Sequence, residues 1–132
     1  MSDVQALNQL SAVILKLHKA LLEYQQQIVE KESGKRMTPY EMLGAALNDE
    51  RFSWLKPLSQ MAVTIDLAAE NGKDAEAHAL EAANSPAFDR EAIKKFWENP
   101  PEDFRLKMIQ ALQKNPDISF LFSEARMKAS SL

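Results

Sequence analysis

Few side chains in this 132-residue chain can do chemistry, and their spacing limits what they can do. The chain has two histidines and no cysteine. Without thiols, disulfides, thiolate zinc sites, iron–sulfur clusters and cysteine nucleophiles are all excluded. His18 falls inside the apolar arc of a long amphipathic segment, with Ser11 and Gln25 one heptad to either side. Together they form a polar line down a mostly apolar surface. Asp66 stands in the run Met61 to Ala69, otherwise apolar except for Thr64. An acid beside an apolar seam needs a partner or water. If the two segments pack together, His18, Lys16 or Lys19 supplies that partner, and a histidine with an aspartate is a usable acid–base pair. Two readings stand side by side. One is a boundary strip hydrogen-bonded to a neighbouring helix. The other is a small-molecule or metal site built on His18, Asp66, Ser11 and Gln25.

The remaining constellations are thinner. Asp74, His78 and Glu81 share one face of an alanine-rich segment, a spacing able to chelate a divalent ion. A helix with so few large apolar residues also reads as a solvated surface, and no metal ligand is assigned there. Di-iron bundles need Glu-x-x-His on two helices, and the motif is absent. No glycine-rich phosphate loop, nucleophile elbow or oxyanion motif is present. The expectation is therefore no catalytic residue and no cofactor. The formal net charge of −3 sets no field to hold a polyanion. Lys31, Lys35 and Arg36 are interleaved with Glu30 and Glu32, too mixed for a phosphate track. No nucleic-acid partner is expected.

The elements that must position these residues are helices. Val, Ile and Thr number 12 against 18 Ala and 16 Leu, and glycine occurs only at 34, 44 and 72. That balance predicts an all-α chain. Leu7, Leu10, Ile14, Leu17, Leu21, Tyr24 and Ile28 recur at steps of three and four, from a cap at Ser2 or Asp3 to a stop at Gly34. A second row, Leu15, Leu22 and Val29, widens the arc, so the helix reads as the spine of a bundle. About 28 residues span about 42 Å, more than the roughly 36 Å expected for a sphere of this chain length. Thr38-Pro39-Tyr40-Glu41 opens a second helix, to about Leu47, with a capping box and proline in its first turn. After a short turn capped by Asp49, a third runs from Ser53–Pro57 to Asn71-Gly72. A thin fourth covers Ala75 to about Ala83. A fifth, capped by Asp89, carries Ile93, Phe96 and Trp97. A sixth covers Glu102 to Lys114, and a seventh, capped by Asp117, carries Ile118 to Ala125. Arg126 to Leu132 is expected to fray. The first, third, sixth and seventh helices are expected to form the main layer.

The block Phe52-Ser53-Trp54-Leu55-Lys56-Pro57-Leu58-Ser59-Gln60, running on to Ile65-Asp66, resembles a family of small, all-helical, uncharacterised bacterial proteins. So do Leu17 to Glu23 and Ala111 to Asp117. The blocks cover about a quarter of the chain. The resemblance implies a helical bundle in a bacterial cytoplasm and no particular activity. No export signal and no window of 18 apolar residues is found, so neither secretion nor a membrane partner is expected. Residues 1–132 are read as one helical-bundle domain, most simply a non-catalytic interaction or adaptor protein. A site near His18 and Asp66 is the alternative. The apolar breadth of the first helix predicts a homodimer with Val13, Phe52 and Trp54 in the contact.

Overall fold

A computed structural model describes residues 3–70 and 90–132. Six α-helices and one 3-10 segment account for nearly all of them, and no strand occurs among the described residues. The helices are α1 (Asp3–Ser33), α2 (Pro39–Asn48), α3 (Lys56–Glu70), α4 (Arg90–Glu98), α5 (Glu102–Lys114) and α6 (Asp117–Ser130). The 3-10 segment, Glu50–Leu55, links α2 to α3. The thin helix expected over 75–83, its Asp74/His78/Glu81 face and the caps at Asn71-Gly72 and Asp89 lie outside the described residues.

α1 is the spine. Leu7, Leu10, Val13, Ile14, Leu17, Leu21 and Val29 bury along it, and α3 and α6 pack on either side. The buried row does not hold a strict heptad. An α-helix drifts about 20° per heptad against a 3.5-residue repeat. By the C-terminal end the inward positions are therefore Gln25 and Val29, while Tyr24 and Ile28 are half-buried. Gly34 ends the helix with φ +75°, the left-handed conformation that glycine adopts without strain. The Glu30 carboxylate then accepts the backbone N–H of Met37 at 2.7 Å, tying the following loop back to α1.

The capping box forms as expected. The Thr38 hydroxyl accepts from Glu41 N at 3.1 Å, and the Glu41 carboxylate accepts from Thr38 N at 3.2 Å. Asp49 caps the 3-10 segment through Arg51 N at 2.9 Å and pairs with the Arg51 guanidinium at 2.7 Å. Those two hydrogen bonds hold the Asp49 carboxyl below its ordinary value.

The aromatic residues close the core from within the chain. Trp54 lies against Phe104 at 5.7 Å between ring centroids, Phe96 against Phe104 and Trp97 at 5.2 Å, and Trp97 against Phe122 at 5.6 Å. These separations suit tilted and edge-on aromatic pairs. Val13, Phe52 and Trp54, expected at a contact between copies, are 5%, 1% and 4% exposed. They are core residues, packed in one hydrophobic core with the spine and this cluster rather than presented to a second copy.

Three further expectations change. The segment from Arg126, expected to fray, stays helical through Ser130 because Ala125 and Ala129 bury completely. The cap at its start is Pro116, with no side-chain cap bond, in place of Asp117. α4, expected in a connection, is a main partner of α6 and buries Ile93 and Trp97, whereas α5 touches the spine less.

Candidate functional site

The polar line on α1 lies against the 3-10 segment and α3, so the helix contact on which the expected pairing depended is made, but the pairings differ. Asp66 meets Ser11, whose Oγ donates to Asp66 Oδ1 at 2.5 Å. Gln25 meets Trp54, whose indole Nε1 donates to Gln25 Oε1 at 3.0 Å with both residues buried. His18, between them, makes no hydrogen bond within the described residues. The expected His18–Asp66 pair is therefore replaced by Ser11–Asp66. The reason is register. Ser11 lies seven residues from His18, about 10 Å along the helix axis, and α3 brings Asp66 to the Ser11 level.

This decides what the line can do. Ser11 is 3% exposed, so its hydroxyl is closed to an incoming substrate although a carboxylate oxygen accepts its proton. Among the described residues no histidine stands beside that pair to act as base, so they do not build the arrangement of a serine nucleophile. Burial pushes the His18 imidazole below its ordinary value of 6.5 and favours its neutral form. Gln25 satisfies the buried indole N–H of Trp54, and buried Ser11 finds its acceptor in the half-buried Asp66, the work of structural hydrogen bonds. Among the described residues, no three His, Cys, Asp or Glu side chains gather where they would hold a metal ion.

Two clefts formed by described residues lie away from the line. One is lined by Glu23, Tyr24 and Gln27 of α1 with Lys114 and Asn115 at the end of α5. The other is an open groove along Glu91, Lys94, Lys95 and Glu98 of α4. Neither is lined by Ser11, His18, Gln25 or Asp66.

The surface that stands out is α2, which carries none of the residues of the polar line. It has no buried residue. Met42 and Ala45 rest half-buried against the core, and the helix leans on the 3-10 segment. Tyr40, Leu43 and Leu47, at steps of three and four on the opposite face, are 86%, 61% and 61% exposed. Sequence held the signal, since apolar residues at 40, 43 and 47 alternate around the helix with others at 42, 45 and 46. A helix apolar on both faces is expected to be covered on both. Comparisons with family models, curated proteins and solved structures find no match for the chain.

Proposed function

We propose that the chain is a non-catalytic interaction or adaptor protein that docks through α2. The exposed row of Tyr40, Leu43 and Leu47 carries this reading. A helix that buries none of its own residues adds little to the core, so its large apolar side chains need another explanation. Contiguous exposed apolar surface on a folded chain marks a contact site. The capping box and Pro39 support the same reading, because they hold α2 in shape where packing contributes little. No helix among the described residues is long and apolar enough to cross a membrane. The reading adopts the bacterial cytoplasmic setting implied by the sequence resemblance.

A photo-crosslinking residue at position 43, compared with one at exposed Lys16 on α1, tests this in cells making the full chain. The expected result is a discrete adduct from position 43 whose second component is identified by mass spectrometry, and none from position 16. Equal labelling at both positions, or none at 43, would overturn it.

A further inference from the structure

The α2 face also carries information about what covers it. Gly44 sits beside Tyr40, Leu43 and Leu47 on the exposed side, in mid-helix. Glycine there weakens a helix relative to alanine. Among the described residues nothing asks for it, since a Cβ at Gly44 would meet no atom beyond its own turn of helix within 4 Å. A glycine in an open, apolar helix face suits close approach by a second backbone. The spacing of Tyr40, Leu43 and Leu47 is that of a short two-helix seam.

The charges bordering the helix give an orientation. Lys35 and Arg36 precede α2 and are exposed; Glu50 follows it and is exposed. Asp49 is already neutralised by Arg51. Exposed Glu41 in the first turn offsets one of the two cations, so the N-terminal end of the α2 unit keeps a net positive charge and the C-terminal end a net negative one. Two copies placed antiparallel set each basic end beside the other's acidic end, and the two helix dipoles also oppose. In that arrangement a two-fold axis between positions 43 and 44 puts Leu43 of one copy against Gly44 of the other. Tyr40 then lies over the other copy's Leu47. The face is self-complementary in shape and in charge, which is what an isologous contact requires.

Resting on the docking reading of α2, we propose that its occupant is a second copy of this chain, paired antiparallel about Leu43 and Gly44. Taking Tyr at about 200 Å² and each Leu at about 100 Å² of coverable surface, the three side chains offer roughly 400 Å² per copy. With the flanking Arg36, Met37 and Glu50 included, the pair approaches about 1,000 Å², the lower bound for a specific contact. The dimer is therefore weak and concentration-dependent, with a dissociation constant on the order of 100 μM. α6 also exposes Phe120 and Met127, but that helix buries Ile118, Ala125 and Ala129 in the core, so its apolar content is largely accounted for within the chain, whereas α2 buries nothing.

Sedimentation equilibrium of the full chain, from about tens of micromolar to about 1 mM, reads the association across the expected constant. Leu43→Arg should weaken it at least about 30-fold with an unchanged far-UV spectrum. Lys35→Glu/Arg36→Glu and Glu50→Lys, each alone, should fail to dimerise, because each makes both ends the same sign. An equal mixture of these two proteins should form a heterodimer. That outcome does not depend on Leu43→Arg folding. A wild-type chain that stays monomeric at about 1 mM would overturn the proposal, as would a dimer indifferent to Leu43→Arg or a charge mixture that does not associate. In the monomeric case an adduct at position 43 with a different protein would leave the docking reading intact. No adduct there would remove both.

Discussion

The buried hydrogen bond from Trp54 to Gln25 offers a sharp test of how the bundle is held. Both residues lie in the core, the donor–acceptor distance is 3.0 Å, and Trp54 rests on Phe104. Gln25→Met keeps most of the side-chain volume and removes the acceptor. The indole N–H is then left in apolar surroundings, at a cost of about 1–3 kcal/mol. The cavity contribution stays small because the volume is nearly conserved. For a chain of this length, about 2 kcal/mol lowers Tm by roughly 8 °C. Trp54→Phe removes the donor, strands the Gln25 oxygen and loses part of an aromatic contact, so it should cost about 2–3 kcal/mol. In the double variant neither polar atom is stranded, and the loss should fall short of the sum by at least about 1 kcal/mol. Urea unfolding followed by circular dichroism measures all three, avoiding the fluorescence of the tryptophan being changed. Costs that add within about 0.5 kcal/mol, or a Gln25→Met variant as stable as wild type, would refute the reasoning.

Three further outcomes follow from the same structure. His18 has its pKa lowered by burial, so the unfolded chain takes up its proton first as pH falls through 6.5. Stability contributed by the neutral form should drop below that pH, and His18→Gln should flatten this part of the urea-midpoint profile; an unchanged slope would exclude it. Gly34→Ala forces a side chain into φ +75° and should cost about 1 kcal/mol in a thermal melt; a raised Tm would contradict the left-handed cap. Thr38→Ala removes half of the capping box, worth about 1 kcal/mol of local helix stability. Because α2 buries nothing, the loss should appear as faster amide exchange confined to residues 39–48 with little change in Tm. A Tm drop as large as that of Gln25→Met would show that α2 is integral to the core.

Much of the architecture was legible because local signals and tertiary packing agree. The capping box at Thr38, the proline in the first turn of α2 and the stop at Gly34 are short-range chemistry, and each stands where spacing placed it. What escaped is what only three-dimensional register decides. Ser11, His18 and Gln25 were recognisable as a polar line, yet whether Asp66 meets Ser11 or His18 depends on the level at which α3 crosses α1. The burial of Gln25 follows from helical drift, which a heptad reading smooths over. Arg126 to Leu132 reads as a fraying tail because chain ends usually fray, yet Ala129, small enough to lie close to its neighbours, buries completely and the helix runs on. Phe52 and Trp54 were placed at an interface because bulk alone does not say which side of a wall it lines.

The polar line also shows why a core this apolar keeps hydrogen-bonding residues at all. A seam of leucines and isoleucines can slide by one turn at modest cost, since apolar contacts are non-directional. The Ser11–Asp66 and Gln25–Trp54 bonds are directional and separated by two heptads on α1. One reaches α3 and the other the 3-10 segment that leads into it, so sliding α3 by a turn breaks both and strands buried polar atoms. Fixing the register of that unit fixes Trp54 against Phe104, and with it the aromatic cluster that closes over the spine. The 3-10 segment also carries α2, whose half-buried face rests on it. The same two bonds that position the core therefore set where Tyr40, Leu43 and Leu47 emerge. A substitution at Gln25 should consequently weaken α2-mediated contact while leaving every residue on that face unchanged.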